Sequence, residues 1–146
     1  MSVKTPAISF CNSVFPISMA FKNHLQHALN KNVSLLGKQH ITLNFKDQSY
    51  SADRGGYHPV EIALTKMPNG QFLIQYVTDF SYDNHEDTEL EKELDFDFGN
   101  SVAFTRYSGW KEIDSPGISE LYQLWESNFI CYLDIGAFDH VEVQGF

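Results

Sequence analysis

The densest run of groups that could do chemistry is Ala52-Asp53-Arg54-Gly55-Gly56-Tyr57-His58-Pro59-Val60-Glu61. Asp53, His58 and Glu61 can exchange protons, and the Arg54 guanidinium can hold an anion. Gly55 and Gly56 would let a ligand approach the backbone. A second arginine stands beside aromatics in Arg106-Tyr107-Ser108-Gly109-Trp110. Together Arg54, Tyr57, His58, Arg106 and Trp110 could line one end of a pocket in a curved sheet. The plainer structural alternative is a loop whose glycines take positive φ and whose Arg54 pairs with Asp53. Arg106 beside aromatics is likewise more often packing than a site. No G-x-G-x-x-G, no Walker lysine and no G-x-S-x-G elbow occurs, so no known nucleotide loop or hydrolase nucleophile is present.

Charge is concentrated in one stretch. Residues 79–97 hold nine carboxylates against Lys92 alone, and the rest of the chain is close to neutral. Within it Glu89, Glu91, Glu93, Asp95 and Asp97 alternate strictly with other residues. On a strand they would form a ladder with a step of about 6.7 Å. Such a ladder could meet a basic partner or a hard cation. The structural alternative is a solvated strand face that discourages edge pairing. The same alternation puts Lys92 on the apolar face, where it would snorkel outward or pair with a carboxylate such as Glu61.

Metal and redox chemistry find little support. His24 and His27 share a helix face, but no three-ligand spacing surrounds them, so no metal is expected. Cys11 and Cys131 belong to no C-x-x-C pair and read as two small buried hydrophobes.

The elements that must position these groups follow from periodicity. Ile17, Phe21, Leu25, Ala28 and Leu29 predict a helix over 16–31, with Pro16 in its first turn. Ile41, Leu43 and Phe45 alternate with polar residues in a strand over 40–46. The polar stretch 47–56 is a loop. Strands over 57–67 and 71–80 flank Met67-Pro68-Asn69-Gly70, a hairpin turn. In the second of them Phe72, Ile74, Tyr76 and Phe80 share a face. Strands over 89–98 and 102–107 follow, Leu90, Leu94, Phe96 and Phe98 sharing a face of the first. A second helix spans 116–135, capped by Asp114 or Ser115 and stopped by Gly136. Its apolar face runs from Ile118 through Tyr122, Trp125 and Phe129 to Leu133. Phe138–Val143 is a short edge strand. The order predicts a single α+β domain over 1–146: a curved antiparallel sheet of about four to five strands with two helices on one face.

Composition sets the outer bounds. The chain has 146 residues, 42% hydrophobic and 20% charged, with net charge −9. That is enough apolar content for a core. The acidity argues against direct nucleic-acid binding. No apolar run of about 18 residues exists, so no transmembrane helix is expected. The first residues lack a signal-peptide apolar block, which points to a cytoplasmic protein.

The segment Arg54-Gly55-Gly56-Tyr57-His58-Pro59-Val60-Glu61, the Trp110 region and the overall length resemble a family of uncharacterised bacterial proteins, a domain of unknown function. The resemblance implies a curved sheet-and-helix fold similar to the cystatin-like or nuclear-transport-factor-like roll. It implies no catalytic residue, substrate or cofactor. The leading expectation is a non-enzymatic binding protein, using the acidic strand face or the concave sheet face, with a basic protein as partner and a homodimer allowed. The alternative is a small-ligand or enzymatic roll with a pocket at Arg54, Tyr57, His58, Arg106 and Trp110.

Overall fold

A computed structural model describes residues 8–82 and 89–146. Helix α1 (Met19–Asn30) is followed by strands β1 (His40–Lys46), β2 (Val60–Lys66), β3 (Phe72–Ser81), β4 (Glu91–Asp97), β5 (Val102–Thr105) and β6 (Gly109–Glu112). Helix α2 (Ile118–Asp134) and strand β7 (His140–Gly145) complete the chain. All seven strands form one antiparallel sheet in the order β6-β5-β4-β3-β2-β1-β7. The sheet therefore has seven strands where four to five were expected. The strand missed altogether is β6, only four residues long, with too little alternation to register. The terminal strand does lie at an edge, beside β1.

Helix α1 begins where a side chain satisfies one of its first backbone N–H groups, and α2 begins without one. Ser18 caps α1, its Oγ accepting from the Phe21 N–H at 3.1 Å. The Ser18 N–H in turn faces Glu126 Oε2 of α2 at 3.4 Å. Glu126 is buried in the middle of the apolar face of α2, which ties the start of one helix to the other. The cap of α2 is Gly117 in the left-handed region (φ 87°), with no side-chain acceptor, rather than Asp114 or Ser115. Gly136 (φ 72°) stands just past its end, as expected.

The core lies between one sheet face and the two helices. Ile41, Leu43, Phe45, Val60, Ile62 and Leu64 meet Phe21, Leu25 and Leu29 from α1 and Tyr122, Trp125 and Phe129 from α2. Two β-bulges then decide which residues of β3 and β4 join them. Ala63 pairs with Tyr76 but Leu64 pairs with Ile74, so Gln75 is the extra residue. Asp79 pairs with Leu94 but Phe80 pairs with Lys92, so Glu93 is the extra residue. Each extra residue flips the alternation beyond it. Val77 and Asp79 thereby join Phe72 and Ile74 on the helix-covered face, while Tyr76 and Phe80 move to the open one. The uniform face expected for Phe72, Ile74, Tyr76 and Phe80 is corrected accordingly.

Candidate functional site

Asp47, at the end of β1, organises the approach to the site. Its carboxylate accepts from Ser49 Oγ at 2.6 Å, from the Ser49 N–H at 3.0 Å and from the Tyr57 N–H at 3.1 Å. These donors, the Ser49 hydroxyl first and the Tyr57 amide next, hold its pKa below the ordinary carboxylate value. Gly56 (φ 133°) packs against this carboxylate, and a Cβ there would lie 2.8 Å from Asp47 Oδ2. Glycine is required at that point by both space and backbone angle. The loop so fixed delivers Tyr57 and His58 onto the edge of the core.

There His58 meets a carboxylate that the bulged register has turned inward. Asp79 is paired across the ladder with buried Val60. His58 Nδ1 lies 2.7 Å from Asp79 Oδ1, and the indole Nε1–H of Trp125 donates to Asp79 Oδ2 at 3.0 Å. The Asp79 side chain is 13% exposed and that of His58 39%. A carboxylate taken so far from water needs both partners. The hydrogen bond to Asp79 raises the His58 pKa above 6.5, with the Asp79 and Glu93 charges adding to it; burial and Arg106 oppose the rise. Tyr50 sets its ring edge-to-face on His58 at 5.5 Å and stacks on Tyr82 at 5.2 Å.

A second charge pair stands beside the first. Glu93, thrown out of the ladder by the bulge, accepts from Ser81 Oγ at 2.8 Å and lies 2.7 Å from Arg106 Nε. Arg106 also donates through Nη2 to Ser81 Oγ at 2.7 Å and stands 3.6 Å from Glu91.

Between these groups and α2 lies a cleft of about 330 Å³. His58, Asp79, Glu93 and Asn128 are its polar members, and Trp125, Phe129 and Tyr132 supply much of its apolar wall. Tyr57 packs edge-on against Tyr132 at 4.9 Å, and Trp125 stacks on Phe129 at 4.9 Å. His58 Nε2 has no hydrogen-bond partner among the described residues, so the imidazole is oriented from behind with one nitrogen left for a ligand. Titrating the His58 ring by NMR is expected to give a midpoint above 6.5 in the native protein. Asp79→Asn should bring that midpoint down; an unchanged midpoint would mean that Asp79 is not its partner.

The structure distributes the five pocket candidates unevenly. Tyr57 and His58 line the cleft; Arg106 is not among its lining residues but pairs with Glu93, which is. Arg54 is exposed in the β1–β2 connection, where its N–H donates to Ser51 Oγ at 3.0 Å. Its expected pairing with Asp53 is not among the ion pairs of the described residues. Trp110 stands on the other face of the sheet, 51% exposed. Asp79, Glu93, Trp125 and Asn128 were not singled out as pocket residues. The one local signal was Asp79, the single charged residue of β3.

The acidic ladder is also divided. The bulge at Glu93 places Asp95 and Asp97 on the open face and Glu93 in the cleft, while Glu89 precedes β4 and Glu91 opens it. Lys92 does not snorkel from the apolar face. It lies on the open face, 2.8 Å from Asp95 and 5.2 Å over the Trp110 ring. Glu61 is taken instead by the Tyr76 hydroxyl. Asp95 is buried, and desolvation raises its pKa against the pull of Lys92. Cys131 is exposed rather than buried, and both cysteines are free thiols. His24 pairs with Asp134 at 3.0 Å. No helix of the described residues is long and apolar enough to cross a membrane.

The fold and cleft define an α+β protein with an open seven-stranded antiparallel sheet, two helices on one face, and an aromatic-walled cleft between sheet and helix. The chain belongs to the DUF2787 family, proteins of unknown function, whose model matches residues 19–144. A hypothetical protein from the VSP-II pathogenicity island of Vibrio cholerae is 37% identical, with a TM-score of 0.88 over 96% of this chain and 100% of its own. A conserved hypothetical protein from pathogenicity island VPI-2 of Vibrio cholerae is 43% identical, with a TM-score of 0.83 over 92% of this chain and 99% of its own. The latter is reported to share structural homology with the human P32 protein. Functionally curated proteins give no match. The family and these relatives bring no assigned activity.

Proposed function

We propose that the protein binds a small, uncharged, amphipathic molecule in the cleft between β2–β4 and α2. The observation that carries this reading is the His58–Asp79–Trp125 relay. It spends a buried indole donor and a largely buried carboxylate on orienting one imidazole at the wall of an aromatic cleft. A cleft of this kind, mostly apolar with a few converging polar groups, is the usual form of a small-ligand site. Charge balance selects the ligand's polar group. Asp79 is held by His58 and Trp125 and Glu93 by Arg106 and Ser81, so a further ion would meet charges already engaged, in a poorly solvated place. A hydroxyl, carbonyl or amide can instead hydrogen-bond to His58 Nε2 with its apolar body against Trp125 and Phe129.

The test uses three ligands of one skeleton: benzyl alcohol, benzylamine and benzoate. Trp125 is the natural reporter, read alone in a Trp110→Phe background because the chain has two tryptophans. Benzyl alcohol is expected to bind more tightly than either ion, and His58→Ala to weaken it about tenfold, the scale of one lost hydrogen bond of about 1.4 kcal/mol. A preference for an ion, or an affinity indifferent to His58, would overturn the reading.

A further inference from the structure

The chain turns sharply after α2. The Gly136 N–H bonds the Leu133 carbonyl at 3.1 Å and the Ala137 N–H bonds the Tyr132 carbonyl at 2.9 Å. This turn throws Phe138 back over the core before β7 begins. On the far side of Phe138 lies a second groove of about 510 Å³, bounded by α1, the end of α2 and β7. Its floor is Phe45, Leu133, Val141 and Val143. Phe138 is the one described residue that lines both this groove and the His58 cleft.

The partition is built from three rings. Phe138 lies 5.5 Å from Phe129 and 6.1 Å from Phe45, and those two lie 5.3 Å apart. Phe45 and Phe129 are 3% and 2% exposed, pinned in the sheet and in α2. Phe138 is only half-buried and sits in a connection.

We propose that the cleft and the groove are two lobes of one site, and that Phe138 sets the chain length of the ligand it accepts. This rests on the reading of the His58 cleft given above and adds the ligand's shape: an unbranched aliphatic chain with an uncharged polar head. The head bonds His58, the chain points toward the apolar floor, and the Phe138 ring stands where it would cross. Charges are confined to the rim and mixed in sign. Lys31 and Asp139 both line the groove, Asp139 accepts from the Gln48 N–H, and His24 is already paired with Asp134. The rim therefore offers no net attraction for a charged tail, and the floor suits hydrocarbon.

The experiment is a homologous series of n-alkan-1-ols, from butanol to dodecanol, titrated into the full chain in the Trp110→Phe background. Each added methylene that is buried should tighten binding roughly threefold to fourfold. In the native protein the gain is expected to stop where the chain meets Phe138. Phe138→Ala should extend it by several methylenes, and Phe138→Trp, titrated by calorimetry because it adds a second indole, should cut it short. Val141→Asp, placed on the groove floor in the Phe138→Ala background, should restore the early stop. Phe138→Leu stands in if the alanine variant does not fold.

An identical stopping point in all position-138 variants would overturn the two-lobed site. The cleft reading would then still stand if short alcohols bind and His58→Ala releases them. If no alcohol binds even the native protein, both fail together.

Discussion

Phe129→Ala is expected to lower the stability by about 3–5 kcal/mol, the range for deleting a fully buried ring. Phe129 is 2% exposed. Its ring lies 6.0 Å from Phe21, 5.3 Å from Phe45 and 4.9 Å from Trp125. One side chain thus joins α1, the sheet and α2, and its removal leaves a void that rings held by three different elements cannot close together. Urea unfolding followed by far-UV circular dichroism measures the loss. Leu124→Ala is the control on the same helix. Leu124 is 61% exposed, so its loss should stay within about 0.5 kcal/mol. Equal effects for the two would place the helix in the wrong rotation about its axis.

The second large effect is expected at Asp79. Asp79→Ala should cost about 2–4 kcal/mol, because two donors lose a buried carboxylate at once. Trp125 Nε1–H is left without an acceptor inside the core, and His58 loses the group that favours its protonation. The pH dependence separates this from simple loss of packing. In the native protein the His58 pKa is raised, so its contribution to stability is whole below about 6.5 and is lost as the pH climbs through the raised native value. The gap between native protein and variant should therefore be wider just below pH 6.5 than at alkaline pH. Unfolding free energies measured across that interval check the sign. A gap that widens with rising pH would mean that His58 is held neutral, and the Nε2 donor proposed for ligand binding would go with it.

These expectations show where local pattern ends. The alternation of Ile41, Leu43 and Phe45, the Asn69-Gly70 turn, and the spacing from Ile118 to Phe129 are each properties of a few neighbouring residues. A strand, a hairpin or a helical face can be read from them because burial repeats every two or every 3.6 residues. The two helices, the hairpin and the edge strand at the end of the chain were accordingly legible, as was the α+β arrangement. Tyr57 and His58 were legible as chemistry because they cluster with glycines in a short run.

What the pattern could not carry was the phase of β3 and β4. Two single-residue bulges, at Gln75 and Glu93, reverse the faces beyond them, and a bulge costs little enough locally to leave no mark in composition. A strict acidic alternation therefore looked like one ladder, yet Glu93 ended in the cleft and Asp95 and Asp97 on the open face. The short β6 strand depends on β5 for its backbone partners rather than on its own residues. The His58 site depends on separation still more. Its carboxylate stands 21 residues away from His58, and the indole that anchors the carboxylate is 46 residues further on. The sequence by itself determined which elements form and which of their faces are apolar, since those follow from short-range periodicity. Only the tertiary structure decided which carboxylate meets the histidine and which ring divides the cleft from the groove. Those are contacts between distant segments, and their register is settled by the packing of the whole sheet against α2.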